Sequence, residues 1–263
     1  MQCDAVGHRI VQLGELVVEA AIIDDSVIRH VEQGTEIAPL HNRPALAAIR
    51  EVQAALPTVP HVAVSDSWFH AGLADEARRY AVPWPEIVRR GFHGLAVESV
   101  VEQISAPRLV VCHLGGGCSV TAVRDGRSLD TTMGLTPLEG VPMVTRSGSL
   151  DPGALLYLLR SGRTVDELDH ALNEESGLTT LGGLDESWVV AYFAYHVAKA
   201  VAAMASVLGG VDVIAFSGGI GENRGEVRDA IAERVGFLGA HVHVVPAREE
   251  LVIARHVRRL LAS

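Results

Sequence analysis

The sequence predicts an α/β fold with partly parallel strand pairing. Three observations predict it: a strand–helix–helix–strand rhythm in the first 66 residues, two β-rich runs joined by glycines at 108–124, and a late buried strand that runs straight into a glycine turn and a helix. In chain order, DAVGHRIVQLG (4–14) reads as a strand ending in a glycine turn. DDSVIRHVEQ (24–33) places aspartates where a helix needs N-cap acceptors. Pro44 to Leu56 predicts a second helix, and HVAVSD (61–66) a buried strand. RLVVCHLGGGCSVTAVRDGRSLDTT (108–132) predicts an antiparallel hairpin tipped by Gly115, Gly116 and Gly117, with a further tight turn at Asp125-Gly126. Asp151-Pro152 opens a helix to Arg160, and Val165 to Leu172 gives another. Trp188 to Leu208 is apolar and long enough to span a bilayer. His196 and Lys199 near its middle, and its many alanines, favour a buried soluble helix instead. VDVIAFSGGIGEN (211–223) reads as strand, glycine turn and helix start, EVRDAIAERVG (226–236) as a helix ended by Gly236, and HVHVVP (241–246) as a last strand.

A length of 263 residues suggests one to two domains at about 150 residues each. Hydrophobic residues at 48% and charged residues at 21% place the chain among globular proteins. A net charge of −10 argues against a non-specific nucleic-acid binder. Lys199 is the only lysine, so chemistry that needs one has a single candidate. Cys3, Cys112 and Cys118 lack C-x-x-C spacing and suit a reducing, cytoplasmic setting. The N-terminal MQCDAVGHRI has no signal-peptide pattern.

Two glycine-rich turns, HLGGG (113–117) and SGGIGEN (217–223), each follow an apolar strand. Glycine lets backbone N–H groups approach phosphate oxygens closely. Neither turn is a Walker A loop or a G-x-G-x-x-G fingerprint, and glycine at a tight turn is more often structural. Two such loops in one acidic chain favour a nucleotide. Arg9, His41, Asp66, His93 and Arg146 sit at strand ends or turns, where sites tend to be built. No pair has metal-site spacing, and there is no G-x-S-x-G elbow.

GHRIVQLGE, IAPLHNRPAL, VAVSDSWFH, GFHG, CHLGGGCSV, DTTMGLTPLEGVPMVTRSGSLDPG (130–153), SGGIGEN and REELVIAR occur in this order. Together they resemble the acetate kinase family, with its propionate and butyrate kinase relatives, from near Met1 to about Arg255. The resemblance implies a two-lobed fold of the sugar kinase, heat-shock chaperone and actin class, with a truncated first lobe at 1–66 and a second lobe at 67–263, whose last dozen residues pack back on the first. It implies transfer of the ATP γ-phosphoryl group to a short carboxylate with Mg²⁺. Asp66 matches the aspartate of F-D-T-x-F-H, Arg9 and Arg146 the two active-site arginines, His93 the histidine of G-F-H-G, and His41 that of A-P-L-H-N. His113, Leu114, Gly115, Gly116 and Gly117, with Gly219, Ile220, Gly221, Glu222 and Asn223, match nucleotide-phosphate contacts. Glu249 matches a metal-linked glutamate, with Glu250 as its ambiguous neighbour. The family default is a homodimer in the cytoplasm, with small-molecule substrates and no nucleic-acid or membrane partner.

The chemistry suits these residue types, because phosphoryl transfer asks for positioning and charge neutralisation. A substrate carboxylate with a pKa of about 4 is already ionised near neutral pH and needs no base, so Asp66 is expected to orient substrate or hold Mg²⁺ through water. The chain departs from the family at several points. Gly116 replaces the asparagine of H-L-G-N-G, GLTTLGGLDESWVV (177–190) passes into the long helix without the family's aspartate-x-arginine segment, and the stretch before Glu249 is short. A second reading of the same residues is a weakly active or inactive relative that keeps nucleotide, acyl-phosphate or protein binding. The truncated lobe carries the expectation of an open sheet edge, with Val6, Ile10 and Val11 losing cover.

Overall fold

A computed structural model describes residues 3–14 and 16–262; Met1, Gln2, Ser263 and Glu15, the last residue of GHRIVQLGE, lie outside the described residues. The chain starts with β1 (Val6–Ile10) and β2 (Ala20–Ile22). Helix α1 (Asp25–Gly34) is capped by Asp24, whose carboxylate accepts from the N–H groups of Ser26 and Val27. Helix α2 (Pro39–Ala55) begins five residues before the expected Pro44, which lies inside it. Pro39 supplies the first turn, where a missing N–H costs nothing. Burial of Leu46 and Ile49 holds the helix through Pro44. Strand β3 (His61–Ser65) follows, then a single tight turn (Trp68–His70), α3 (Asp75–Arg78) and α4 (Gly94–Val101).

The second half opens with the expected hairpin, β4 (Arg108–Leu114) and β5 (Cys118–Arg124), continued by β6 (Arg127–Thr131). Next come α5 (Pro152–Arg160), capped by Asp151, α6 (Val165–Glu174), α7 (Gly177–Thr180) and α8 (Ser187–Leu208). Strand β7 (Val213–Ser217) runs into α9 (Gly218–Asn223) and α10 (Gly225–Val235). The chain does not reverse at Gly236, whose φ is helical; a further turn continues to Leu238, and the left-handed residue is Gly239. Strand β8 (His241–Val244) and α11 (Glu249–Ala262) complete the chain.

The strands form two sheets, in the orders β1-β3-β2 and β6-β5-β4-β7-β8. β1 pairs parallel to β3, and β4 pairs antiparallel to β5 and parallel to β7. Side chains alternate across each sheet. Val110, Cys112 and Leu114 face the core built with α8 and α10, while Leu109 and Val111 face Val97 and Val100 of α4. In the smaller sheet Ile10 and Ala63 face α1 and α2, while Val62 and Val64 face Val252 and Val257 of α11. Helix α8 is long and apolar enough to cross a membrane, but it packs along the large sheet as a core helix.

The expected loss of cover at β1 is not observed for two of its three residues. Ile10 is fully buried under α1 and α2, Val11 joins the large core, and only Val6 is half-buried. Helix α11 closes the opposite face: a side chain at Gly7 would collide with Ile253 and Val257.

Candidate active site

The small sheet supplies one half of a charged cluster. Parallel pairing sets Arg9 opposite Val64 and Ile10 opposite Ser65, and the Asp66 N–H donates to Ile10 O at 2.8 Å. This places the Arg9 and Asp66 side chains together, with Arg9 Nη2 donating to Asp66 Oδ2 at 3.0 Å. The same oxygen accepts from the backbone N–H of His93, also at 3.0 Å. Asp66 is fully buried, and its Oδ1 has no hydrogen-bond partner. Such an acceptor is costly to leave empty and calls for a partner such as water or an ion. Arg9 Nε also pairs with Glu249 Oε2 at 3.3 Å, at the start of α11. Of the two neighbouring glutamates, Glu249 is half-buried in the cluster and Glu250 is exposed.

The large sheet supplies the other half. His93 sits just before α4 with a left-handed φ of 60°, and its Nδ1 meets Ser119 Oγ at 3.1 Å. With the hydroxyl donating to Nδ1, the ring proton is on Nε2. A methyl group on Gly117 would lie 2.9 Å from both His93 Nε2 and Arg146 Nη2. Gly117 thus leaves the space on which these two donors converge. Arg146 is held by Nη1 donating to Pro137 O at 2.7 Å, and it forms no ion pair among the described residues. His113, at the end of β4, lies tilted against His93 with ring centroids 4.6 Å apart and meets Ser217 Oγ through Nδ1 at 3.2 Å. His41 stands in the first turn of α2 with its Nδ1 buried and unpartnered.

The electrostatics follow from burial beside cations. Burial pushes the His93 imidazole well below its usual range, helped by His113, Arg9 and Arg146. Burial takes His113 down to about 4. His41 is lowered by burial and then by the Arg146 and Arg9 charges. All three rings are neutral near pH 7 and act as hydrogen-bonding groups rather than cations. Glu249 is raised, first by burial and also by Asp66 and Glu250, although Arg9 opposes this.

The two glycine loops meet because β4 pairs parallel to β7, setting His113 opposite Ser217. A methyl group on Gly115 would lie 3.7 Å from Gly219 N, and one on Gly218 would strike Leu114 O at 2.7 Å. Part of the expected donor set is spent internally. Gly115 N–H donates to Gly117 O, and Glu222 Oε1 accepts from the N–H groups of Gly218 and Ala247, so this carboxylate ties the loop to the segment leading into α11. Asn223 Nδ2 donates to Gly219 O. The Leu114 side chain is fully buried, and Ile220 packs against the core, so both offer only backbone groups. Gly221 is buried, whereas a side chain at Gly116 or Gly219 would meet nothing within 4 Å.

Sequence reasoning missed Ser119, Ser217 and Pro137, which hold His93, His113 and Arg146 in place. The available signal was two serines at the glycine ends of otherwise apolar strands.

The model of the Acetokinase family matches residues 1–254. An acetate kinase of Halothermothrix orenii is 36% identical over the whole chain and 79% of its own length. That match runs over 315 positions against the 263 residues here, so the relative carries further positions within the matched span. An acetate kinase of Synechococcus is 42% identical over 91% of this chain and 66% of its own. Among solved structures, a propionate kinase from Francisella tularensis aligns with a TM-score of 0.89 and 32% identity, over 96% of this chain and 78% of that one. The acetate kinase of Porphyromonas gingivalis gives 0.86 and 30%, over 98% and 78%. These likenesses carry with them the two-lobed, actin-like architecture, and the chain belongs to the acetokinase family of phosphotransferases with a carboxyl acceptor.

Proposed function

We propose that the chain transfers the γ-phosphoryl group of ATP reversibly to acetate, giving acetyl phosphate and ADP. The observation that carries this reading is the convergence of Arg146 Nη2 and His93 Nε2 on the space left by Gly117, with the Arg146 charge unpaired among the described residues. A half-buried guanidinium without a counter-ion among the described residues, beside a neutral imidazole, suits an oxyanion.

In the forward reaction a carboxylate oxygen attacks phosphorus, and the bond to the ADP oxygen breaks with its electron pair. No proton moves, which suits a site whose histidines are all held neutral. Arg9 keeps Nη1 outside its bonds to Asp66 and Glu249 and is the donor for the substrate carboxylate. The acyl end fits a cavity of about 120 Å³ beside His41, walled by Ile37, Leu40, Pro137 and Leu138. Asp66 orients Arg9 and His93 through Oδ2. Its empty Oδ1, with Glu249 nearby, suits Mg²⁺, which binds through one or two carboxylates and completes its shell with water and phosphates. The ion would offset phosphate charge.

The loops at 113–117 and 219–223 are the phosphate-facing segments, through backbone donors. We assign the first lobe to residues 1–66 and the second to 67–263. We also propose a cytoplasmic homodimer, supported by α5, which buries none of its residues and leaves Leu156, Tyr157 and Leu159 exposed. Light scattering of the purified chain tests the dimer.

The function is tested by trapping acyl phosphate as hydroxamate from purified chain, ATP, Mg²⁺ and acetate, propionate or butyrate. Hydroxamate formation is expected. Binding heat from ATP without any hydroxamate would leave a binding relative in place of an enzyme.

A further inference from the structure

Behind the catalytic cluster lies a second cavity, of about 90 Å³, between the loop after β1, the turn after β3 and the segment leading to His93. It is lined by Gln12, Ser65, Ser67 and Trp68, and by Arg78 and Arg89. None of Arg9, His41, Asp66, His93, His113, Arg146 and Glu249 lines it, and neither does any acidic residue among those described. We propose that this cavity is a binding site for a small oxyanion, phosphate or a short carboxylate, separate from the catalytic centre.

Three features support the assignment. First, Gln12 is 2% exposed and its Nε2 has no hydrogen-bond partner. A buried amide donor is costly to leave unsatisfied, and a bound acceptor would relieve it. Second, Arg78 forms no ion pair among the described residues, so its charge is available. Arg89 adds positive potential but not free donors. Its Nη1 donates to the carbonyls of Thr131, Thr132 and Met133, and its Nη2 to Glu139. Third, the Ser65 and Ser67 hydroxyls bond each other at 3.3 Å, which leaves one hydroxyl proton beside the arginines as a neutral donor. A compact pocket with cationic and neutral donors, and with no carboxylate among the described residues, suits a tetrahedral or planar oxyanion.

The site is placed to reach the chemistry without joining it. Gln12 follows Arg9 by three residues, Ser65 and Ser67 flank Asp66, and Arg89 precedes His93 by four. An ion bonded to these neighbours would tie together the three segments that carry Arg9, Asp66 and His93, and would stabilise the folded chain by mass action.

The test uses the intact chain with Trp84 and Trp188 changed to phenylalanine, so that Trp68 at the cavity mouth reports alone. Inorganic phosphate and, separately, acetate are titrated without nucleotide, and Tm is followed in parallel. Saturable Trp68 quenching and a rise in Tm are expected for at least one anion, and the arm that saturates at lower concentration names the class. Arg146→Ala should keep this response. Arg78→Gln and Ser67→Ala should each weaken it tenfold or more while leaving the unliganded Tm close to that of the parent. Loss of the response in Arg146→Ala with retention in Arg78→Gln would place the anion in the catalytic cluster and overturn the proposal. No saturable response to either anion would overturn it as well.

Discussion

Strand β4, which carries His113, is hydrogen-bonded on both sides, by β5 and β7, and covered on both faces. Among the described residues, strand β1, which carries Arg9, is bonded on one side, to β3. The two sheets thus hold opposite halves of one charged cluster with unequal support. The large sheet and the loops fixed to it position His93, His113 and Arg146, the donors proposed to face the phosphoryl group. The small sheet positions Arg9 and Asp66, and Arg9 meets Glu249 at the start of α11. The difference teaches that the half proposed to meet the transferring phosphoryl group rests on a strand paired on both sides, and that the half proposed to meet the small substrate relies on α11 for one of its covers.

The sharpest way to break this division is to disturb the doubly paired half. Arg146→Ala is expected to lower kcat by about 10²–10³-fold with little change in Tm, because it removes a charge that works mainly in the transition state. Gly117→Ala should do comparable damage from a single methyl group, which would crowd Arg146 and His93. Steady-state kinetics beside thermal melts check both. A normal kcat in a folded Arg146→Ala chain would move the phosphoryl position elsewhere.

Acid sharpens the same contrast. His113 and His70 are both lowered by burial from 6.5 to about 4. The unfolded chain therefore binds protons at these sites between pH 6.5 and 4, where the folded chain does not. Stability is unaffected by them above pH 6.5 and falls as pH drops through that window, by up to about 3 kcal/mol for each ring. Urea melts at pH 7 and pH 5 report this loss. Replacing His70 by glutamine, which can still bond Ser128, should flatten part of the slope.

Hydrogen exchange addresses the unequal strand support directly. Amides of Val6–Ile10 are expected to exchange about 10²-fold faster than those of Leu109–Val111, in keeping with local opening of a one-sided edge. Equal protection would mean that α11 closes β1 as firmly as β7 closes β4.

The smallest expected effect concerns the nucleotide. With little beyond the backbone at the two loops, ATP, GTP and inorganic triphosphate should bind within about tenfold of one another, or 1.4 kcal/mol. Gly116→Asn points into open space and should be accepted without strain, so it tests whether a side-chain amide tightens phosphate binding. Side-by-side titrations decide both points.

Much of this arrangement was legible in the residues. The hairpin, the strand–turn–helix at 211–223 and the Asp24 and Asp151 caps rest on local chemistry, and local chemistry survives in a sequence. What could not be read there depends on distant partners. Helix α11 gains its place from Val62 and Val64, about 190 residues earlier by the sequence numbering, and α4 from both sheets. The residues gathered in the cluster were recognisable from the family resemblance, but their division between the two sheets was not. Only the fold shows that Glu222 is turned inward onto Gly218 and Ala247, and that Asp66 keeps one oxygen empty.

His93 gives the last lesson. It adopts a left-handed backbone, which costs an ordinary residue about 1–2 kcal/mol and glycine almost nothing. Asp66 Oδ2 holds that geometry by accepting the His93 N–H. The residue best suited to endure at position 93 is therefore not the residue proposed to meet the phosphoryl group. A library of this chain sorted for durability alone would drift toward glycine or asparagine there, and a library sorted for turnover would keep the imidazole and tolerate the loss. The position records which of the two pressures shaped the chain.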